Sequence, residues 1–294
     1  MFLQKKRNLY FEYFKESLYP NNMKNSEEII DKEALVRSRM RSDKEDNFLQ
    51  KLAVQEIKDR LKFIKKRFEK ILIICGNPFY WQEAFHGAEF IADDEILAFP
   101  QKGYDLVIHG MSLHYANDPI GQLVQCRSIM KEGGLLLGIF LGGQTLNELR
   151  DSIASAEIEL TGGISPRVLP MIDIRDAGSF LMRAGFALPV ADISVNMVDY
   201  GKPLDLFYDL RKMGETNVQK HRLKKFSHRK LFSLASDKYI DSQNSENKSV
   251  KATFEFITIT GWVPSQDIPK PLKPGSATMR LADALKVKEE KLRD

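Results

Sequence analysis

Few residues in this 294-residue chain combine a reactive type with a promising setting. The densest group is Ser112-Leu113-His114-Tyr115, followed by Asn117-Asp118-Pro119. A histidine and a tyrosine in a polar loop can move a proton, stack on a ligand or hydrogen-bond it. A histidine bonded to backbone and a tyrosine lidding the core would explain the same residues with no function. Asp93 falls just after a short strand pattern, where a carboxylate can accept a ligand's hydrogen bond; a surface acid is the plainer reading. Gly76 also follows a strand pattern and would let backbone approach a bound molecule. The histidines (His86, His109, His114, His221, His228) form no H-x-D or H-x-x-x-H pair, so no metal site is expected. Cys75 and Cys126 sit in apolar settings without C-x-x-C spacing and read as buried thiols. No residue is assigned a catalytic role.

The stretch Tyr104 to Gly143 must position that loop. Leu106-Val107-Ile108 is a short apolar strand pattern. Asp118 as N-cap with Pro119 at the first helical position opens a helix, whose apolar residues are Leu123, Cys126, Ile129 and Met130. Gly133-Gly134 is expected to end it. Leu135 to Leu141 is apolar throughout, as in a strand covered on both faces. This is a β-α-β unit of a parallel sheet. Ligands then sit past the strands' carboxyl ends, around Gly110 to Asn117 and Gly142 to Thr145.

Upstream, Ser26 to Ile29 begins a short helix that runs into the basic stretch Arg37 to Arg41. Leu49, Ala53, Ile57, Leu61, Ile64 and Phe68 mark a longer amphipathic helix. The first strand, Ile71 to Cys75, leads into Gly76-Asn77-Pro78, where a nucleotide-binding α/β domain would usually turn through several glycines. Only 27 residues separate Gly76 from Tyr104. They hold one short helix (Phe79 to Phe85) and one short strand (Glu89 to Ala92), so one β-α unit is missing. Downstream, Thr145 to Glu148 reads as a capping box, Ile174 to Ala184 as a helix and Phe186 to Val195 as a strand. Leu204 to Ile240 is helical in pattern with a break near Gly214, after which Glu215 and Asn217 are candidate caps. Thr253 to Thr260 alternates as a strand, and a Pro-rich tail precedes a last helix from Arg280.

Hydrophobic residues at 43% and charged residues at 29% suit a globular protein, and the net charge of +4 is too mild to indicate nucleic acid. Residues 211–230 carry eight Lys or Arg against Glu215 alone, a solvated helix face or a docking face for an acidic partner. No apolar run approaches the ~20 residues of a membrane span. No secretory signal is visible, and a cytoplasmic location is expected. Organised sequence begins just after Met23, a candidate natural start.

Several segments carry a resemblance. They are Asp93 to Phe99, Tyr104 to Val107, Ser112 to Asp118, Gly142-Gly143-Gln144-Thr145-Leu146-Asn147-Glu148-Leu149-Arg150, Gly163-Ile164-Ser165-Pro166-Arg167, Met213-Gly214-Glu215-Thr216-Asn217, Thr260-Gly261-Trp262 and Pro274-Gly275-Ser276-Ala277. Together they resemble class I S-adenosylmethionine (SAM) methyltransferases. More closely they resemble bacterial relatives of the mitochondrial complex I assembly factor 5, themselves similar to the biotin-pathway malonyl-carrier methyltransferase. The resemblance implies an α/β fold with a Rossmann-like, mostly parallel sheet. It would have one antiparallel strand near the C-terminus, lack one β-α unit, and carry helical insertions. The expected divisions are an extension over 1–46, a methyltransferase-like domain over 47–264 with a helical insertion at about 200–250, and a tail over 265–294. With SAM as cofactor, Gly76 would be the remnant of the glycine turn and Asp93 would meet the adenine amino group. Ser112, Leu113, His114 and Tyr115 would line the cleft beside the sulfonium methyl. The acidic residue that binds the ribose hydroxyls has no counterpart. Two functions follow: methyl transfer to a protein or small acyl substrate, or a non-catalytic assembly factor binding a respiratory-complex subunit.

Overall fold

The computed structural model describes residues 28–43, 45–244, 248–265 and 279–286. The start at Met23, the proline tail beyond Ser265 and the Pro274 to Ala277 match lie outside the described residues. Two helices, α1 (Lys32–Arg41) and α2 (Phe48–Phe63), precede a six-stranded sheet. The strands are β1 (Ile71–Cys75), β2 (Glu89–Ile91), β3 (Tyr104–Gly110), β4 (Met130–Leu141), β5 (Ala187–Tyr200) and β6 (Val250–Trp262). Their order is β2-β1-β3-β4-β6-β5. The first four run parallel, and β6 lies antiparallel to both β4 and β5. This is the mostly parallel sheet with one reversed strand that the resemblance implies. β2 is the edge strand on its side, reached from β1 through α3 (Phe79–Ala84), and residues 92–103 add neither helix nor strand. The β-α unit judged missing from the residue count is therefore missing from that edge.

Alternation along the strands divides the core into two layers. Ile73, Leu106, Ile108, Leu137 and Ile139 pack under α2 and under α5 (Asn147–Thr161). Leu72, Ile74, Val107, Leu136 and Phe140 pack under α4 (Pro119–Ile129) and α6 (Ile174–Arg183). All ten are fully buried, each contributing about 1.5–3 kcal/mol. Asp118 caps α4 through the Gly121 N–H at 2.8 Å with Pro119 in its first turn, as read from the sequence. Cys75 and Cys126 are buried free thiols, and burial pushes both up. Between β5 and β6 in the chain come α7 (Pro203–Met213) and α8 (Arg229–Ser242). The chain divides between Pro264 and Ser265, and in the second unit the described helix is α9 (Leu281–Leu285).

Several local readings need correction. The first described helix begins at Lys32, not in the Ser26 to Ile29 segment, and α2 stops at Phe63, short of Ile64 and Phe68. α4 stops at Ile129, because Met130 already pairs with Tyr104; Gly133, left-handed at φ 66°, lies within β4 and donates to Val263 O at 3.0 Å. The sheet ladder claims the chain before the glycines can end a helix. Thr145 and Glu148 form no capping box. Thr145 Oγ1 exchanges 3.1 Å bonds with the Glu255 backbone and the Glu148 carboxylate accepts from Thr253, so β6 takes both partners. Left-handed Leu146 begins α5 without a side-chain cap. Finally, residues 215–228 are not helical and the next helix, α8, starts only at Arg229, so Glu215 and Asn217 cap no helix; Asn217 donates instead to Pro166 O at 2.7 Å.

Candidate functional site

The carboxyl ends of β1, β2 and β3 deliver Gly76, Asp93 and Ser112 to one end of the sheet, as β-α-β geometry requires. The loop after β3 makes a single 3₁₀ turn over Leu113–Tyr115. Leu113 sinks into the α4-side core, while Ser112, His114 and Tyr115 are buried without leaving the strand ends. All six residues that the resemblance assigns to a cofactor therefore gather at one place.

The centre of that place is filled by a side chain the sequence reading passed over. Arg39, from α1, donates from Nη1 and Nη2 to the two carboxylate oxygens of Asp93 at 2.7 and 2.9 Å. Its guanidinium lies so close over Gly76 that a Cβ there would collide with it. The Tyr115 ring centroid is 5.4 Å from its central carbon, and the Tyr115 hydroxyl donates to Glu215. Asp93 is 6% exposed. Burial alone would raise its carboxyl, but the Arg39 charge, its two hydrogen bonds and Lys32 outweigh that and hold it well below the usual carboxylate range. Burial would likewise lower Arg39, and Asp93 more than offsets it. Glu215 goes the other way: burial raises its carboxyl despite the Tyr115 bond and Arg39.

Two neutral histidines floor the site. His109, fully buried, meets Gln122 Oε1 through Nε2 at 2.9 Å and Ser112 Oγ through Nδ1 at 3.3 Å. Because the Gln122 amide nitrogen is committed to Asp94 O at 2.9 Å, its oxygen faces the ring and Nε2 carries the proton. Burial pushes His109 down to about 4 and His114 down to about 3. His114 Nδ1 accepts from Leu141 N–H at 3.4 Å, while its Nε2 is buried without a partner. The site thus keeps one orphan donor next to Tyr115, whose ring centroid lies 4.2 Å away.

α1 is strapped down on both sides. Asn117 Oδ1 accepts from Ile29 N–H and Ile30 N–H at 2.8 and 2.9 Å. Lys32 reaches Glu95 at 3.1 Å and Tyr115 O at 2.9 Å. Ser38 Oγ bonds Gly214 O at 2.9 Å and Thr216 Oγ1 at 2.6 Å. The Gly214-Glu215-Thr216 segment, one of the more specific matches in the sequence, is what clasps this helix. Spacing places Arg39 four residues after Leu35, beside the face α1 buries, but does not name Asp93 as its partner. Glu215 was marked only as a candidate cap; nothing local pointed to Tyr115, 100 residues away, as its partner.

SAM laid past β1 and β2 would need the space the Arg39 guanidinium holds and the carboxylate oxygens it engages. As folded, these residues do not fit that cofactor. Among the described residues no group of His, Cys, Asp and Glu side chains is arranged to hold a metal ion, and no helix is long and apolar enough to cross a membrane.

No family model matches the chain. Among known proteins, it is 37% identical over 197 residues to the mitochondrial arginine-hydroxylase NDUFAF5 of Danio rerio, covering 67% of this chain and 61% of that one. The human protein of the same name is 36% identical over 67% of this chain and 57% of its own length. A malonyl-[acyl-carrier protein] O-methyltransferase of Coxiella burnetii is 29% identical over 55% of this chain and 54% of its own. The chain therefore spans about three-fifths of the length of the NDUFAF5 proteins it matches. Among solved structures, the YcgJ protein of Bacillus subtilis aligns with TM-score 0.45 and 12% identity, over 72% of this chain and 99% of that one.

Proposed function

We propose that this chain, a relative of the mitochondrial arginine-hydroxylase NDUFAF5, is an assembly factor of the complex I type. It would work by binding a respiratory-complex subunit rather than by transferring a methyl group. The observation behind this reading is the Arg39–Asp93 pair, which sits where the cofactor's adenosine and methionine would lie. With both Asp93 oxygens engaged and the guanidinium against Gly76, SAM binding must first break a buried ion pair, a costly step. Calorimetric titration of the full chain with SAM is expected to give no saturable heat at millimolar ligand. Saturable heat would remove the non-catalytic reading. In cells lacking the protein, assembled complex I is expected to fall on native gels; an unchanged level would remove the assembly role.

Methyl transfer to a protein or small acyl substrate is the second reading. Its support is the buried loop Ser112 to Tyr115 with the partnerless His114 Nε2, a buried donor at the carboxyl end of the strands. Methyl transfer needs positioning more than catalytic side chains. It would require α1 to carry Arg39 out of the pocket, and Arg39→Ala would then be expected to gain SAM affinity.

A further inference from the structure

A larger space, sharing Tyr115 and Glu215 with the Arg39 pocket, lies under α7 and α8. This cleft of about 1220 Å³ is bounded by α5, α7 and α8 over Leu141 and Phe254. Small-molecule sites usually hold ~300–1,000 Å³, so the room suits a ligand of lipid size. Its interior is apolar: Leu146, Leu149 and Ile153 come from the α5 side, Phe207 from α7 and Phe232 from α8. The two phenylalanine rings meet edge to face at 5.8 Å, and Phe232 is still 39% exposed.

Its rim has the opposite character. Lys202, Arg211, Arg229 and Lys230 line the cleft from exposed positions. None forms an ion pair among the described residues. Arg229 and Lys230 open α8 with no acidic residue in its first turn, so nothing in that turn offsets their charge. Among the described residues only Glu215 and Asp237 bring carboxylates to the lining, and Glu215 already accepts from Tyr115. An apolar trough edged by unpaired cations matches a molecule with a hydrocarbon body and a negative end.

We propose that this cleft binds a single-chain anionic amphiphile, its hydrocarbon chain among Leu149, Ile153, Phe207 and Phe232 and its carboxylate or phosphate between Arg211, Arg229 and Lys230. The inference goes beyond the assembly role and is independent of SAM. A chain that ignores SAM yet binds amphiphile, or the reverse, separates the two readings.

The test is a binding titration of the full chain with palmitate, hexadecyl phosphate, neutral hexadecanol and octanoate, read by calorimetry. One-to-one binding of the two long-chain anions is expected. Octanoate should bind far more weakly, since each pair of methylenes is worth roughly tenfold in affinity, and hexadecanol should be weaker than palmitate. Which anion is preferred separates a carboxylate from a phosphate head. Ser233→Trp, which puts an indole into the cleft from an exposed helix position, should abolish binding. The double variant Arg229→Glu/Lys230→Glu should weaken anion binding at least tenfold and leave hexadecanol unchanged. Both variants are checked for an unchanged circular dichroism spectrum and melting midpoint. No saturable binding, binding unaffected by either folded variant, or binding only to anionic vesicles would each overturn the assignment.

Discussion

Past β1 and β2 a positive charge is buried against its counter-charge at 2.7 Å, with Asp93 only 6% exposed. Around the cleft between α5, α7 and α8 several cations, Lys202, Arg211, Arg229 and Lys230 among them, face water without an ion-pair partner among the described residues, beside an uncovered apolar wall. The two regions meet at Tyr115 and Glu215, so the contrast is drawn within one end of one sheet. A buried ion must be paired or the fold suffers, and the chain supplies that partner itself. Exposed cations cost nothing to leave unpaired, and an apolar trough of that size remains available to something else. The first pocket has the character of a finished structural element and the second that of a binding site.

Removing Arg39 should break the comparison most severely. Arg39→Ala leaves the Asp93 carboxylate buried without its partner and is expected to cost roughly 3–5 kcal/mol in denaturant unfolding. A near-neutral result would mean that α1 is loosely held and the pocket open. Crowding the same pair is milder. Gly76→Ala drives a methyl into the guanidinium, and an overpacked core site costs about 1–3 kcal/mol. In an Arg39→Ala background that cost should largely vanish, a coupling a double-mutant cycle measures directly.

Acid gives a third lever, smaller than the first two for each histidine taken singly. His109 and His114 are held down to about 4 and about 3 by burial, while an unfolded histidine titrates near ~6.5. The unfolded chain therefore takes up protons first. Stability from these groups is complete above about pH 6.5 and drains as pH falls toward the folded values. The loss between pH 6.5 and 5 should be on the order of 1–2 kcal/mol per histidine, and His114→Gln should remove about half of that slope. Asp93, held low, adds its own loss only once pH falls below the ordinary carboxylate value of about 4. The smallest effect belongs to the cleft: Arg229→Glu/Lys230→Glu should change unfolding free energy by no more than about 0.5 kcal/mol, although it alters ligand binding.

Much of the scaffold was legible in the chain. The apolar runs Ile71 to Cys75, Leu106 to Ile108 and Leu135 to Leu141 announced three parallel central strands, because a strand buried on both faces has no room for polar residues. Asp118-Pro119 announced the start of α4 through chemistry confined to four residues. The capping box at Thr145 failed for the complementary reason: Thr253 and Glu255, over a hundred residues on, offered the same side chains other bonds. Arg39, too, read as one of several arginines in a basic stretch.

Taken alone, the sequence determined the strand cores and the short edge that lacks a β-α unit, since these follow from local periodicity and connection length; the grouping of Gly76, Asp93 and Ser112 to Tyr115 came from the resemblance. Only the tertiary structure decided what those residues do. It brought α1 back across the strand ends to give Asp93 its guanidinium, and set α7 and α8 apart over an apolar floor. Both depend on contacts between segments distant along the chain, and no local pattern of residues encodes the partner of a buried charge.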